Sequence, residues 1–133
     1  MNSKKVVVKL GTNAMTNEDG SLNQPLIKDL VRQIVSLKNT CDIVLVSSGA
    51  MGSGRAILKK KLKYDETTTR QIYAVIGQVK LMELYSKLFS EHGLIVAQML
   101  ATKEDFANRI HFLNTKNCIE SLFSEGIVPI MNE

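Results

Sequence analysis

The sequence predicts an α/β protein built around a mainly parallel β-sheet with helices on both of its faces. Four short segments are apolar and rich in β-branched residues, as strands are, at positions 5–10, 42–47, 94–100 and 127–131. They lack the in-and-out alternation of half-exposed strands, which favours a sheet that is covered on both sides. Stretches with apolar residues at helical spacing separate these segments, and this alternation is typical of parallel strands joined by right-handed crossovers.

The first half of the chain supplies two strands and two helices. The strand over 5–10 (KVVVKL) ends where Gly11 breaks the apolar run. A helix is predicted from Pro25 onward, because proline suits the start of a helix and the apolar positions that follow have a helical period. The strand over 42–47 (DIVLVS) ends at a serine–glycine pair, and a helix follows over 50–58.

The second half of the chain continues the same alternation. A long helix follows the polar, cap-rich residues 65–69 and stops at Gly93, since glycine is common just past the end of a helix. The remaining elements are a strand, a short helix, a longer helix and a last strand, predicted over 94–100, 103–107, 110–124 and 127–131. The 133 residues suit one domain by length.

The composition excludes several classes of protein. The chain has 17 Lys and Arg against 13 Asp and Glu, and 44% of its residues are apolar, which argues against intrinsic disorder. The longest apolar run is only strand-sized, so no membrane-spanning helix is predicted. Aromatic residues make up 5%, which disfavours a nucleic-acid surface built on base stacking. Cys41 and Cys118 do not make a disulfide framework, and without a signal-peptide core they indicate a reduced, cytoplasmic protein.

Small, glycine-rich and hydroxyl-bearing residues follow the first two predicted strands. Gly11, Thr12 and Asn13 come after the first strand, and a run from Ser47 to Gly54 comes after the second. In open parallel sheets, ligands bind beyond the carboxyl ends of the strands, and a glycine-rich turn that opens a helix aims free N–H groups at an anion. The composition therefore favours a phosphate or anion cradle. The spacing matches neither the P-loop nor the dinucleotide fingerprint, and a tight packing turn is the alternative.

Lys9 is a cation inside an otherwise apolar strand, one residue before the end of that strand. An edge strand with Lys9 facing water would explain it, because lysine is rarely fully buried without a partner. Alternatively, the ammonium group reaches a phosphate above the backbone of Gly11, which has no Cβ to obstruct the approach. The sequence pattern leaves both interpretations open.

Other chemistries receive no support from the sequence. His92 and His111 are isolated, and together with two distant cysteines they give no metal-ligand spacing. Neither a nucleophile elbow nor a Ser-His-Asp order is present. The basic run over 59–63 is interpreted as a solvated segment, with an anion-attracting rim as the alternative.

Five spaced motifs resemble those of the amino acid kinase family, in the expected order and over essentially the whole chain. The first two are Val7–Asn13 (VVKLGTN) and Val46–Ala50 (VSSGA), the second continuing to Gly54 and Arg55. The other three lie within 74–82, 97–117 and 127–133. This resemblance implies the three-layer α/β/α sandwich of that family, with a mainly parallel sheet.

Within the family, the chain most resembles the members that use ATP to phosphorylate the γ-carboxylate of L-glutamate, the first step of proline biosynthesis. The resemblance implies that Lys9 is catalytic and contacts ATP phosphate, with backbone donors for the phosphates at Gly11, Thr12 and Gly49. It implies a glutamate pocket formed by Ser48, Ala50, Met51 and Gly52. Magnesium is expected to bind through ATP oxygens, with no protein metal site. The acceptor carboxylate is already anionic, so no strong general base is expected.

The resemblance also bears on domain organisation. In the family, Asn132 and Glu133 are followed by Asn-Asp, a further substrate asparagine and a nucleotide-binding half. Residues 1–133 are therefore expected to be the N-terminal, amino-acid-binding part of a kinase domain whose nucleotide-binding half is absent, and which forms a homo-oligomer in the complete enzyme. Two departures from the family pattern, Asn13 in place of serine and Met51 in place of isoleucine or valine, leave the mechanism unchanged.

Two alternatives to this interpretation remain. One is another amino acid kinase, such as acetylglutamate kinase, although those begin with K-x-G-G where this chain has Lys9-Leu10-Gly11-Thr12. The other is a non-catalytic anion-binding or assembly half-domain. In that case we expect the fourth strand to form an exposed sheet edge that pairs with another chain.

Overall fold

The computed structural model describes residues 3–132, so Glu133 of the last motif lies outside the described residues. It contains four strands and six helices. In chain order these are β1 (Lys4–Leu10), α1 (Thr12–Met15), α2 (Gln24–Lys38), β2 (Cys41–Ser47), α3 (Ala50–Leu58), α4 (Glu66–Ser90), β3 (Val96–Met99), α5 (Lys103–Ala107), α6 (Arg109–Ser124) and β4 (Val128–Asn132). This order confirms the predicted alternation of strands and helices. No helix among residues 3–132 is long and apolar enough to cross a membrane.

The four strands form one parallel sheet with the order β1-β2-β4-β3. The register pairs Leu10 with Ser47 and Ser47 with Asn132, which brings the carboxyl ends of β1, β2 and β4 side by side. Our expectation that the fourth strand would be an exposed edge is wrong. The chain passes from β3 through α5 and α6 and then inserts β4 between β2 and β3, so the edges are β1 and β3.

The main core lies between one face of the sheet and helices α2 and α4. Alternate residues of the inner strands, including Leu45 and Ile130, are almost fully buried on this face. They pack with apolar side chains from both helices, among them Ile27, Val31, Leu81 and Phe89. Asn23 caps α2 and Asp65 caps α4, each accepting a hydrogen bond from a backbone N–H in the first turn.

Helices α5 and α6 lie on the opposite face and complete the α/β/α arrangement. Phe123 of α6 lines a groove of about 270 Å³ together with Val7 and Val44 of the sheet, and Lys5 pairs with Glu120. Cover on this face is partial, since Val7 is 68% exposed. From Lys5 to Leu10, strand β1 therefore alternates between exposed side chains and partly or fully buried ones, unlike the uniformly covered strand that the sequence pattern predicted.

Two local predictions are corrected by the structure. The third strand is shorter than its apolar run, because it begins at Val96 and ends at Met99. The polar residues after β1 were expected to form only a break. Instead they form the single turn α1, which opens with hydrogen bonds from Ala14 and Met15 to the carbonyl oxygen of Gly11.

Candidate functional site

A cavity of about 270 Å³ opens at the carboxyl edge of the sheet. The start of α1, the loop after β2, the start of α3, one residue of α4 and the end of β4 line it. The lining residues are Thr12, Ser48, Gly49, Ala50, Met51, Ala74 and Asn132. This is the position where parallel α/β sheets bind ligands, because crossover connections leave the strand ends open there.

Two hydrogen bonds hold the backbone of Ser48 in place within this site. Its N–H donates to the carbonyl oxygen of Leu10 at 2.9 Å, which ties the loop after β2 to the end of β1. Its carbonyl oxygen accepts a hydrogen bond from the hydroxyl of Ser47 at 3.0 Å. Ser48 is only 8% exposed, and it lines the cavity.

Gly49 makes the turn from β2 into α3. Its φ of 104° lies in the left-handed region, where a residue with a Cβ is strained. As the N-cap of α3 it has no side chain to accept a hydrogen bond from the first helical N–H groups. The start of α3 is therefore suited to an anionic ligand, because uncapped N–H groups and the helix dipole both favour negative charge.

A buried pair of hydroxyl groups lies directly beneath the loop after β2. Ser47 and Tyr85 are both fully buried, and their hydroxyl oxygens are 2.6 Å apart. Burial raises the pKa of Tyr85 to about 12, although the hydrogen bond with Ser47 acts in the opposite direction. The sequence alone does not reveal this pair, because Tyr85 lies in an apolar helical stripe that is typical of core packing.

Lys9 lies on β1, an edge strand of the sheet, and its side chain is exposed. It pairs in register with Val46, so it faces the opposite side of the sheet from Leu10 and Ser47. The ammonium group does not contribute to the cavity lining. The edge-strand interpretation thus describes the environment of Lys9.

The structure separates the other predicted site residues into two groups. Thr12, Ser48, Gly49, Ala50 and Met51 line the cavity, as does Asn132 from the end of β4. Gly11 is not among the lining residues, and its carbonyl oxygen accepts the hydrogen bonds that start α1. Gly52 instead faces the loop before α2, since a Cβ there would be 3.0 Å from the carbonyl oxygen of Gly20. Ala74 is the first residue of the motif within 74–82, and it enters the site because α4 packs closely on α3.

The other titratable candidates lie elsewhere. The Nδ1 atom of His111 is 3.6 Å from a carboxylate oxygen of Asp105, at the junction of α5 and α6. Within the described part of the chain, no group of three or more His, Cys, Asp and Glu side chains is arranged to hold a metal ion. Cys41 and Cys118 are free thiols.

The fold and the cavity together define an α/β protein with an open cavity at the carboxyl edge of a parallel sheet. Comparison with known protein families is more specific: residues 4–133 match the amino acid kinase family, and the chain belongs to that family. This confirms the resemblance seen in the five sequence motifs.

Relatives within the family carry a common name. The chain is 42% identical to a glutamate 5-kinase of Bacteroides thetaiotaomicron over 130 residues, 97% of this chain and 36% of the relative. It is 45% identical to a glutamate 5-kinase of Thermoanaerobacter sp., covering 97% of this chain and 35% of the relative. A glutamate 5-kinase of Alkaliphilus metalliredigens is 38% identical, with 98% and 50% covered. The chain thus spans about a third to a half of the length of these relatives.

A solved structure supports the same fold. UMP kinase from Ureaplasma parvum superposes with a TM-score of 0.63, covering 98% of this chain and 56% of that protein. The sequences are 16% identical, so this likeness bears on the fold alone.

Proposed function

We propose that this chain is the amino-acid-binding part of an ATP-dependent kinase that phosphorylates the γ-carboxylate of L-glutamate. The observation that carries this proposal is the cavity at the carboxyl edge of the sheet, in a chain that is 42–45% identical to two glutamate 5-kinases over 130 residues. Because the chain covers about a third of those relatives, we propose that nucleotide binding depends mainly on sequence they carry beyond the matched part.

The size and lining of the cavity support an amino acid as the ligand. A volume of about 270 Å³ lies just below the roughly 300–1,000 Å³ of pockets for larger ligands. Small residues, such as Gly49 and Ala50, form its floor, and Ser48 and Thr12 add hydroxyl groups. We propose that Ser48 binds the glutamate and that Ala50 and Met51 shape the pocket around it, whereas Gly52, which faces the loop before α2, has no direct part in the pocket.

The proposed chemistry needs charge stabilisation more than a general base. A glutamate carboxylate has an ordinary pKa of about 4.3, so it is already ionised at neutral pH and can attack directly. ATP supplies the phosphoryl group, with Mg²⁺ offsetting part of its negative charge. Lys9 would place a positive charge at the rim of the site. The backbone N–H groups of Gly11, Thr12 and Gly49 would donate to the phosphate oxygens of ATP.

We propose that Mg²⁺ binds together with ATP and is not held by a separate metal site formed by the described residues of this chain. The described residues contain no group of three carboxylate, histidine or cysteine ligands. Magnesium often keeps its waters and binds through substrate phosphates with one or two carboxylates, and so needs no such group here. We further propose that the protein works in the cytoplasm, which suits two free thiols, and as a homo-oligomer in its complete form.

A fusion tests the proposed function. The 133-residue chain would replace the matched N-terminal third of the Bacteroides thetaiotaomicron relative, and ADP release would be measured with and without L-glutamate. Glutamate-dependent turnover by the fusion, and none by the chain alone, is expected. A folded fusion that releases no ADP with glutamate, or one that prefers N-acetylglutamate, would overturn the proposal.

A non-catalytic assembly module is the second candidate. Strand β1 is an edge of the sheet and carries an exposed Val7, and such edges pair readily with other chains. Stable self-association of the chain, combined with an inactive fusion, would favour this candidate over the kinase.

A further inference from the structure

Three polar groups connect α4 to the loop that carries the candidate site. The hydroxyl oxygens of Tyr85 and Ser47 are 2.6 Å apart, and the Ser47 hydroxyl is 3.0 Å from the carbonyl oxygen of Ser48. Tyr85 and Ser47 are completely buried. Both hydroxyl groups therefore depend on protein partners, because water does not reach them.

The proton positions in this chain follow from the strengths of the acceptors. Each hydroxyl has one proton to donate, and the Tyr85 oxygen also lies 3.7 Å from the sulfur of Met15. A thioether is a weak acceptor and a carbonyl is a strong one. The favoured arrangement has Tyr85 donating to Ser47 and Ser47 donating to the carbonyl oxygen of Ser48, so that the two bonds strengthen each other.

The carbonyl of Ser48 and the N–H of Gly49 belong to one peptide unit. A trans peptide is planar, and its C=O and N–H point in opposite directions. The described residues contain no cis peptide bond. Holding the Ser48 carbonyl toward the buried hydroxyls therefore turns the Gly49 N–H away from the core, and Gly49 lines the cavity.

We propose that Tyr85 is a positioning residue for the candidate site. Acting through Ser47, it fixes the Ser48–Gly49 peptide so that the Gly49 N–H faces the cavity as a donor to an anionic ligand group. The identity of that group, a carboxylate of glutamate or a phosphate, rests on the proposed function, whereas the peptide orientation does not.

The left-handed conformation of Gly49 explains why its peptide needs to be held by the two buried hydroxyl groups. A glycine with a φ of 104° has more conformational freedom than any other residue, and it has no side chain to hold its peptide. A donor contributes most to binding and catalysis when it is oriented before the ligand arrives. The two buried hydroxyls supply that orientation from α4, a separate element of the fold.

Two single variants of the 133-residue chain test the orientation. Tyr85→Phe keeps the ring and removes the hydroxyl, and Ser47→Ala removes the direct bond to the Ser48 carbonyl. Tyr73→Phe is the matched control, since it also deletes one hydroxyl hydrogen bond of α4, to Lys60 at 3.2 Å. The readout is the N–H residual dipolar coupling of Gly49 by NMR, which reports the direction of that bond.

We expect the Gly49 coupling to shrink in Tyr85→Phe and further in Ser47→Ala, and to be unchanged in Tyr73→Phe. The NMR chemical shift of the Ser48 carbonyl carbon should change in the same order, because the carbonyl oxygen loses its hydrogen-bond donor. An unchanged Gly49 coupling in Tyr85→Phe would overturn the positioning role, whatever Ser47→Ala does.

A double variant separates positioning from ordinary core packing. Ser47→Ala with Tyr85→Phe leaves no buried hydroxyl without a partner, so its stability should recover relative to Ser47→Ala alone. The Gly49 coupling should stay reduced, because nothing holds the peptide. Recovery of the coupling together with the stability would show that the pair serves packing only.

Anion titrations connect the orientation to the ligand. L-glutamate and inorganic phosphate would be titrated separately into the wild-type chain and each variant, and loss of one oriented donor is expected to weaken binding about fivefold. The anion whose binding is weakened in the variants identifies the kind of group, carboxylate or phosphate, that Gly49 contacts. Binding of neither anion by the wild-type chain would overturn the proposed function, while the dipolar couplings would still decide the positioning role.

Discussion

The Cα of Gly77 in α4 lies against the carbonyl oxygen of Ala50 at the start of α3. A Cβ built at Gly77 would be 1.6 Å from that oxygen, far inside any permitted contact. A Cβ at Gly54 would likewise be 1.7 Å from the carbonyl oxygen of Tyr73. The two helices therefore cross with their backbones in contact. Because Ala50 and Ala74 both line the cavity, this crossing sets the position of one cavity wall.

Gly77→Ala should consequently lower the free energy of unfolding by about 3 kcal/mol, since overpacking a tight backbone contact costs in this range or more. Urea unfolding followed by circular dichroism measures it. Gly11→Ala is the matched control, because a Cβ at Gly11 meets nothing within 4 Å and its φ is −80°. Equal stabilities of the two variants would contradict the close crossing.

Gly49→Ala should cost about 1–2 kcal/mol in stability, because an alanine is strained at a φ of 104°. The control is Gly93→Ala, since Gly93 also has a positive φ, of 72°, and open space around it, but lies outside the cavity. Both variants should lose stability by similar amounts in thermal unfolding. Only Gly49→Ala should also weaken L-glutamate binding, and a matching loss in Gly93→Ala would remove Gly49 from the site.

Most of the fold could be predicted from the sequence, since strands and helices here have strong local signals. The apolar runs at β1 and β2 and the caps at Asn23 and Asp65 lie where residue type indicates them. The place of β4 inside the sheet could not be predicted, because strand order depends on which crossover packs best and leaves no local mark. The single turn α1 was missed because four residues are too few to show a period.

The residues of the candidate site likewise fall into those that the sequence could place and those that it could not. Residues that follow strands, such as Thr12 and Ser48, could be placed at one sheet edge from topology alone. Ala74 and Tyr85 could not, because they come from a helix and carry ordinary packing side chains. Their contribution arises from the close approach of α4 to α3 and to β2, which only the folded chain shows.

Gln78 follows Ala74 by one helical turn, and its Oε1 atom is buried without a hydrogen-bond partner among the described residues. A buried acceptor that is not satisfied lowers stability by about 1–3 kcal/mol. Gln78→Met should therefore raise the free energy of unfolding by about 1 kcal/mol, whereas Gln71→Met on the exposed surface of the same helix should not change it. Chemical denaturation of both variants measures the difference, and a clear loss in Gln78→Met would show that the amide is satisfied.

Lys9→Ala should abolish most turnover in the active fusion with the relative's C-terminal part, while L-glutamate still binds. Loss of one group that stabilises transition-state charge typically reduces kcat by about 100-fold or more. Lys5→Ala is the control, because Lys5 lies on the same side of β1 and pairs with Glu120. Steady-state kinetics should show a fall in kcat for Lys9→Ala with little change in the KM for glutamate. A fusion that keeps wild-type kcat without Lys9 would refute its phosphate role.

Tyr85 should make the chain lose stability at alkaline pH. Burial raises its pKa from the ordinary 10.0 to about 12 in the folded state. Between these values the unfolded chain has released the phenolic proton and the folded chain retains it, so stability falls as pH rises. The stabilisation is complete below pH 10 and is lost by about pH 12, a change on the order of 2 kcal/mol. Since lysines also titrate in this range, the measurement is the difference in unfolding free energy between wild type and Tyr85→Phe across pH 9–12. The wild type should lose more stability than Tyr85→Phe, whereas parallel curves for the two proteins would show that the Tyr85 hydroxyl is accessible to water.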